Sequence, residues 1–300
     1  MYELIIIGAG PAGITAAIYA VRKRISTLVI TGDIGGQAAL SGDVENYTGY
    51  QFISGPELAL KFEEHLRRFD IVLKEKEEVR QLNKLDDVVR VRTDKGVYEG
   101  KSVIIASGKR SRELGVPGEK EFKNKGLTYC ATCDAPIFAG KDVAVIGGGN
   151  SALDAAIQLI KIARKIYIIN AAGQLTGDPV MRDIVLQSPK ASVFNSSHVT
   201  AILGEKMVNA IKIKKDNTEE TLSVQGVFVE IGLMPNSEFS GDVEKNRYGE
   251  IKVNPYNETS IPGIFAAGDV TDVPEKQIVI AAGEGSKAAL SVFKYLIHRS

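Results

Sequence analysis

The sequence predicts an α/β fold carrying two dinucleotide-binding units in one chain. Three observations lead there. An apolar strand runs into a glycine loop and a helix at the start of the chain, the same pattern returns from Asp142, and 300 residues exceed the length at which one core usually keeps growing.

Taken in order, Glu3–Ile7 is a continuous β-rich run that reads as a buried strand. It is too short to span a membrane and lacks the charged start and cleavage site of a signal peptide. Gly8-Ala9-Gly10-Pro11-Ala12-Gly13 is a tight loop, Ile14–Val21 carries helix formers, and Ser26–Ile30 is the returning strand, so the unit closes within the roughly thirty residues such a motif needs. The glycines permit a tight turn, close approach of backbone to a pyrophosphate, and close helix–strand packing, with the phosphates at the helix N-terminus. FAD and NAD(P) both suit that loop. The acidic residue that would hold a ribose is missing at the strand end, Ile30-Thr31-Gly32, and Asp33 is a poor substitute.

Pro56–Phe69 predicts a helix, and Val88–Thr93 with Gly96–Tyr98 a small antiparallel meander. Ser102–Gly108 returns as a buried strand whose small terminal residues, Ala106 and Gly108 among them, let a flat cofactor lie against backbone. The second unit follows: strand Asp142–Ile146, loop Gly147-Gly148-Gly149, helix Ser151–Ile162 and strand Lys165–Ile169. Gly226–Ile231 is a further apolar run, Gly232–Asn236 a connection, Gly263–Asp269 a last strand ending in a Gly-Asp pair, and Ile278–Leu296 a terminal helix.

Thirty-seven basic residues balance thirty-seven acidic ones, so nothing calls for nucleic acid. The only two cysteines stand together as Cys130-Ala131-Thr132-Cys133-Asp134, just ahead of the second glycine loop. A zinc site needs more ligands than this pair, and His65, His198 and His298 are scattered without ligand spacing, so no metal is expected. Two cysteines at this spacing read as a redox pair. With no export signal, the cytoplasm is the expected compartment, where such a disulfide is transient and catalytic.

These motifs, in this order, strongly resemble the low-molecular-weight thioredoxin reductases over essentially the whole chain. The matching stretches are Gly8–Gly13, Gly35-Gly36-Gln37, Glu45-Asn46-Tyr47, Cys130–Asp134, Gly147-Gly148-Gly149-Asn150-Ser151-Ala152 and Ala266-Ala267-Gly268-Asp269. The stretch from Gly226 to Ile297 also looks like the flavoprotein component of alkyl hydroperoxide reductase. That relative carries an additional N-terminal thioredoxin-fold module, expected to be absent here because this chain starts at the first nucleotide strand.

The resemblance implies two Rossmann-like domains of the three-layer β-β-α type, the second inserted in the first: a discontinuous FAD domain at 1–113 and 235–300, and a pyridine-nucleotide-like domain at 114–234 bearing the redox disulfide. It assigns FAD to Gly8, Gly10, Pro11, Ala12, Gly13, Gly35, Gly36, Gln37, Asn46, Ala106, Gly108, Gly268, Asp269, Lys276, Gln277 and Ile278. Lys276 stands where the family usually has arginine, keeping the charge and losing the planar fork. Cys133 is assigned the flavin-facing thiol, Cys130 the thiol that attacks thioredoxin through a mixed disulfide, and Asp134 the proton donor and acceptor. The family also implies a homodimer, and rotation of the inserted domain about Arg112–Gly118 and Gly232–Asn236.

One departure concerns the electron donor. Family members that use NADPH carry a His-Arg-Arg cluster after the second strand of the inserted domain, whereas this chain has Asn170-Ala171-Ala172-Gly173. No guanidinium remains for a 2′-phosphate, and no carboxylate for a ribose. Gly147, Gly149, Asn150, Ser151, Ala152 and Asn170 then form either an NADH site or a vestige kept for packing. A subgroup draws electrons from reduced ferredoxin, for which Arg22-Lys23-Arg24 and Lys109-Arg110-Ser111-Arg112 are candidate docking cations. Ferredoxin is placed first, NADH next and NADPH third. The expected activity is FAD-dependent reduction of thioredoxin or a thioredoxin-like protein. The alternatives are a NAD(P)H-dependent reductase serving a peroxiredoxin system through a small thioredoxin-fold carrier, and a redox sensor that does not turn over.

Overall fold

The computed structural model describes residues 1–41 and 43–298, with Asp43 and Cys133 described by backbone alone. The chain divides into two compact units, Met1–Arg110 with Met234–Ser300, and Ser111–Leu233. The crossings fall at 110/111 and 233/234, where the resemblance implies 113/114 and 234/235.

In the first unit a sheet runs in the order Val72–Lys74, Thr27–Ile34, Tyr2–Ala9, Val97–Ile105, Val88–Thr93, Val79–Leu85, and Ile264–Ala266 pairs with Val97–Ile105. The sequence pattern splits Val97–Ile105 in two at Gly100 and Lys101. It is one strand with two partners on one edge: its start is antiparallel to Val88–Thr93 and its end parallel to Ile264–Ala266. Gly100 is small because the Ile5 side chain of the neighbouring strand lies against it, 3.0 Å from where a Cβ would stand.

Side-chain alternation sends the two faces of this sheet into separate cores. Leu4, Ile6, Val29 and Ile104 face the Pro11–Arg22 and Ile278–Ile297 helices. Ile5, Ile7, Leu28, Ile30, Val103 and Ile105 face the meander. The two helices approach closely through small residues, and a side chain at Gly285 would run into the Ala12 carbonyl.

The second unit repeats the plan. Its parallel sheet has the order Leu127–Thr128, Gly226–Val229, Asp142–Ile146, Lys165–Asn170, Ala191–Asn195. Val143 and Val145 pack under the Asn150–Ile162 helix, while Ala144 and Ile146 face an antiparallel sheet of His198–Gly204, Val208–Lys215 and Thr218–Ser223. This sheet and the Pro179–Gln187 helix are not evident from the sequence. Among the described residues no helix is long and apolar enough to cross a membrane.

Candidate functional site

The first unit holds a cavity of about 1020 Å³ at the carboxyl ends of its parallel strands. Every residue that the resemblance assigned to FAD lines it except Gly13 and Gly35. Gly13 instead lets the first helix press on the glycine loop, since a side chain there would strike the Gly8 carbonyl. Gly35, at φ 92°, begins the short turn that carries Gly36–Leu40 to the cavity. Gly8 is required as glycine: its φ is 104°, and a Cβ would collide with the Ala106 carbonyl on the adjacent strand.

Two helix N-termini meet this cavity, at Gly10–Pro11 and Gln277–Ile278, and neither has a side-chain cap. Their first-turn N–H groups supply the positive dipole ends that a pyrophosphate takes up. Asn46 and Gln277, distant in sequence, are joined by an amide hydrogen bond of 3.0 Å. The Thr31 hydroxyl accepts the Ala9 N–H at 3.1 Å and donates to the Asp33 carbonyl, which turns the strand end into the cavity wall in the place of the missing acid.

Charged groups also gather there that no sequence motif joins. Lys109 Nζ lies 2.8 Å from Glu250, with only 13% and 15% of the two side chains exposed, and Lys276 Nζ is 3.5 Å from the same carboxylate. Burial opposes ionisation of Glu250, but hydrogen bonds from Lys109 and Asn246 with the Lys276 charge hold it below its ordinary value. Burial pushes the Asp269 carboxyl up and the Lys276 ammonium down, against their mutual attraction. Arg110 is likewise engaged, with Glu238 at 2.6 Å and Asn236 at 2.8 Å.

In the second unit the redox motif forms a single turn, Ala131–Asp134, followed by a 3₁₀ turn to Phe138. Cys130 is in the disulfide form, its N–H donating to Thr128 Oγ1 at 3.1 Å and its carbonyl accepting from the Asp134 N–H at 3.2 Å. The side chain of Cys133 lies outside the described residues. Buried Ala131, Ala135 and Phe138 fix the segment to the core, Phe138 meeting Phe228 edge-on at 5.2 Å. Glu230, at the end of the Gly226–Val229 strand, takes the Ala131 N–H on its carboxylate, and burial raises its pKa to about 7. Its one signal in the sequence is a carboxylate interrupting an apolar run where α/β sheets place their ligands.

The Asn150–Ile162 helix starts at Gly149 without a side-chain cap, Asn150 and Ser151 are exposed, and Asn150 Oδ1 accepts the Asp178 N–H at 2.7 Å, which draws the loop around Gly177 against the helix start. Ala152 is buried and packs into the core. Gly147 has φ 136° and lies against the Glu230 carbonyl. Asn170 is buried and spends its side chain internally: its amide N–H groups bond the Ala172 carbonyl at 3.1 Å and Asn195 Oδ1 at 2.8 Å, and its Oδ1 takes the Ala172 N–H. It shapes the turn after the strand and has no free donor for a ribose. No cluster of His, Cys, Asp or Glu able to hold a metal occurs among the described residues.

Comparison with known proteins fits this geometry. The profile of the pyridine nucleotide-disulphide oxidoreductase family matches residues 2–285, and the chain belongs to that family. It is 42% identical over 300 residues to the NADH dehydrogenase of Bacillus subtilis (strain 168), covering 99% of this chain and 59% of that protein. It is also 42% identical over 307 residues to the F component of the alkyl hydroperoxide reductase of Pseudomonas aeruginosa, covering 100% and 59%. The chain therefore spans under two thirds of the length of these relatives. The thioredoxin reductase of Lactococcus lactis superimposes with a TM-score of 0.86 at 33% identity, covering 99% of this chain and 100% of that one. Membership of the family, with such neighbours, implies FAD as cofactor.

Proposed function

We propose that the chain is the flavin-dependent reductase core of a thioredoxin-type disulfide relay, drawing electrons from NADH. FAD, held in the 1020 Å³ cavity, supplies a two-electron carrier between nicotinamide and disulfide. Gly8, Gly10 and the two uncapped helix ends would hold its pyrophosphate, and Asn46, Gln277 and Lys276 would contact the rest of the molecule. Reduction of the Cys130–Cys133 disulfide consumes two electrons and two protons and leaves two thiols. Asp134 takes the Cys130 thiol proton, the thiolate attacks the acceptor's disulfide and expels one acceptor thiolate, and Asp134 returns the proton to it. Cys133 then attacks the mixed bond, releases the second acceptor thiol and restores the starting disulfide.

The donor assignment rests on the strand end at Asn170–Gly173, which offers no cation to a 2′-phosphate, together with relatives named for NADH. Ferredoxin falls behind NADH in this reading because three of its six candidate docking cations are engaged within the chain: Lys109 and Arg110 pair with Glu250 and Glu238, and Lys23 lies over the Phe293 ring at 4.9 Å. The acceptor is a separate small protein of thioredoxin fold. The likeness to the F component of alkyl hydroperoxide reductase favours a carrier serving a peroxiredoxin, in a homodimeric cytoplasmic enzyme. Anaerobic flavin bleaching with NADH, NADPH and reduced ferredoxin in parallel tests the donor. Rapid bleaching by NADH alone supports the assignment, and rapid bleaching by micromolar NADPH or by ferredoxin overturns it.

A further inference from the structure

Glu230 belongs to neither glycine loop nor to the Cys-Ala-Thr-Cys-Asp motif, yet its carboxylate touches the latter. The contact is made to the backbone N–H of Ala131, the residue bonded to Cys130. The charged group whose field reaches Glu230 is Asp154, from the Asn150–Ile162 helix, and it opposes ionisation. Cys130 and Asp134 stand on the same turn as Ala131, joined by the bond from the Asp134 N–H to the Cys130 carbonyl. The flanking strands end at Thr128 and Ile146, which carry no charge. Among the described residues no Lys or Arg forms an ion pair with Glu230, so its proton is the means of discharging it.

We propose that Glu230 is a positioning residue that governs ionisation of the Cys130 thiol once the disulfide is open. It holds the Ala131 N–H in either state and, by keeping or losing its proton, switches a negative charge beside that sulfur. The inference rests on the redox role assigned to Cys130 above. With Glu230 protonated the Cys130 thiolate forms readily, whereas with Glu230 ionised two anions compete for one half-buried space and the thiol holds its proton. Since the carboxyl changes state at about pH 7, thiol reactivity follows this side chain in the neutral range.

The test is the rate of Cys130 alkylation by iodoacetamide, followed by peptide mass spectrometry from about pH 5.5 to 9, on the FAD-loaded full chain reduced with dithiothreitol under anaerobic conditions. Wild-type protein should show an inflection near pH 7, from the carboxyl, besides that of the thiol itself. Glu230→Gln keeps an acceptor for the Ala131 N–H and cannot ionise. It should lose the lower inflection and react about threefold faster above neutrality, a thiol pKa lower by about one unit being partly offset by weaker nucleophilicity. A Glu230→Gln profile superimposed on wild type would overturn the proposal, because a purely structural role survives that substitution. The readout needs neither donor nor acceptor, so it fails separately from the reductase reading. That reading fails instead if Cys130→Ser protein still reduces a thioredoxin-fold acceptor.

Discussion

Half-burying a carboxyl without a cation costs stability once the solvent pH passes the carboxyl's ordinary range, and Glu230 is such a group. Its folded pKa of about 7 lies above the ordinary 4.5, so the native state binds the proton more tightly than the unfolded chain does. The sign follows: its contribution is fully present below about pH 4.5 and is lost as pH rises through about 7, a loss of roughly 3 kcal/mol. Urea unfolding of wild type and Glu230→Gln should therefore give a difference that grows in favour of the variant from pH 5 to 8, to at most roughly 3 kcal/mol. Equal pH slopes would show that the carboxyl is not buried as described. Gly8 is a second residue whose chemistry is fixed by backbone. Gly8→Ala should cost about 1–3 kcal/mol from strain and displace the Ala106 edge of the cavity, read as lost flavin retention and a lower Tm.

At the scale of elements, the parts legible in the sequence are those whose signal is local. Tyr2–Ala9 and Asp142–Ile146 announce themselves through the apolar runs Leu4–Ile7 and Val143–Ile146, each followed by glycine, and each strand sends alternate residues into two cores as a doubly covered strand must. Val97–Ile105 is hard to read as one strand because Gly100 looks like punctuation, although it marks close contact with Ile5. Pro179–Gln187 escapes notice because it leaves Val180, Ile184 and Leu186 exposed and buries Val185 alone, so its apolar pattern does not mark a core face. Two predictions belong here. Gly285→Ala overfills the seam between the first and last helices and should cost about 1–3 kcal/mol, a fall in Tm of several degrees. Placing Arg at both Ala171 and Ala172 supplies the missing guanidinium groups on the turn that Asn170 shapes. It should tighten NADPH binding by about tenfold or more, measured by calorimetry, with little change for NADH.

For the whole molecule, the cavity and the disulfide occupy different units, one built from both chain ends and the other from the middle. Nearly all of the cavity's glycine framework could be read from motifs. Its charge network could not, since Lys109 and Glu250 are far apart in sequence and meet only through sheet topology. Glu230 escaped for the same reason: its significance is its neighbour Ala131, about a hundred residues earlier in the chain. The claim that joins the units is that electrons delivered to FAD leave through the Cys130 pair. Anaerobic titration with NADH tests it most directly. Wild-type protein should accept about two equivalents, one each for flavin and disulfide, and Cys130→Ser about one, with no acceptor reduction. An unchanged two-equivalent endpoint in Cys130→Ser, or acceptor reduction by that variant, would contradict the account.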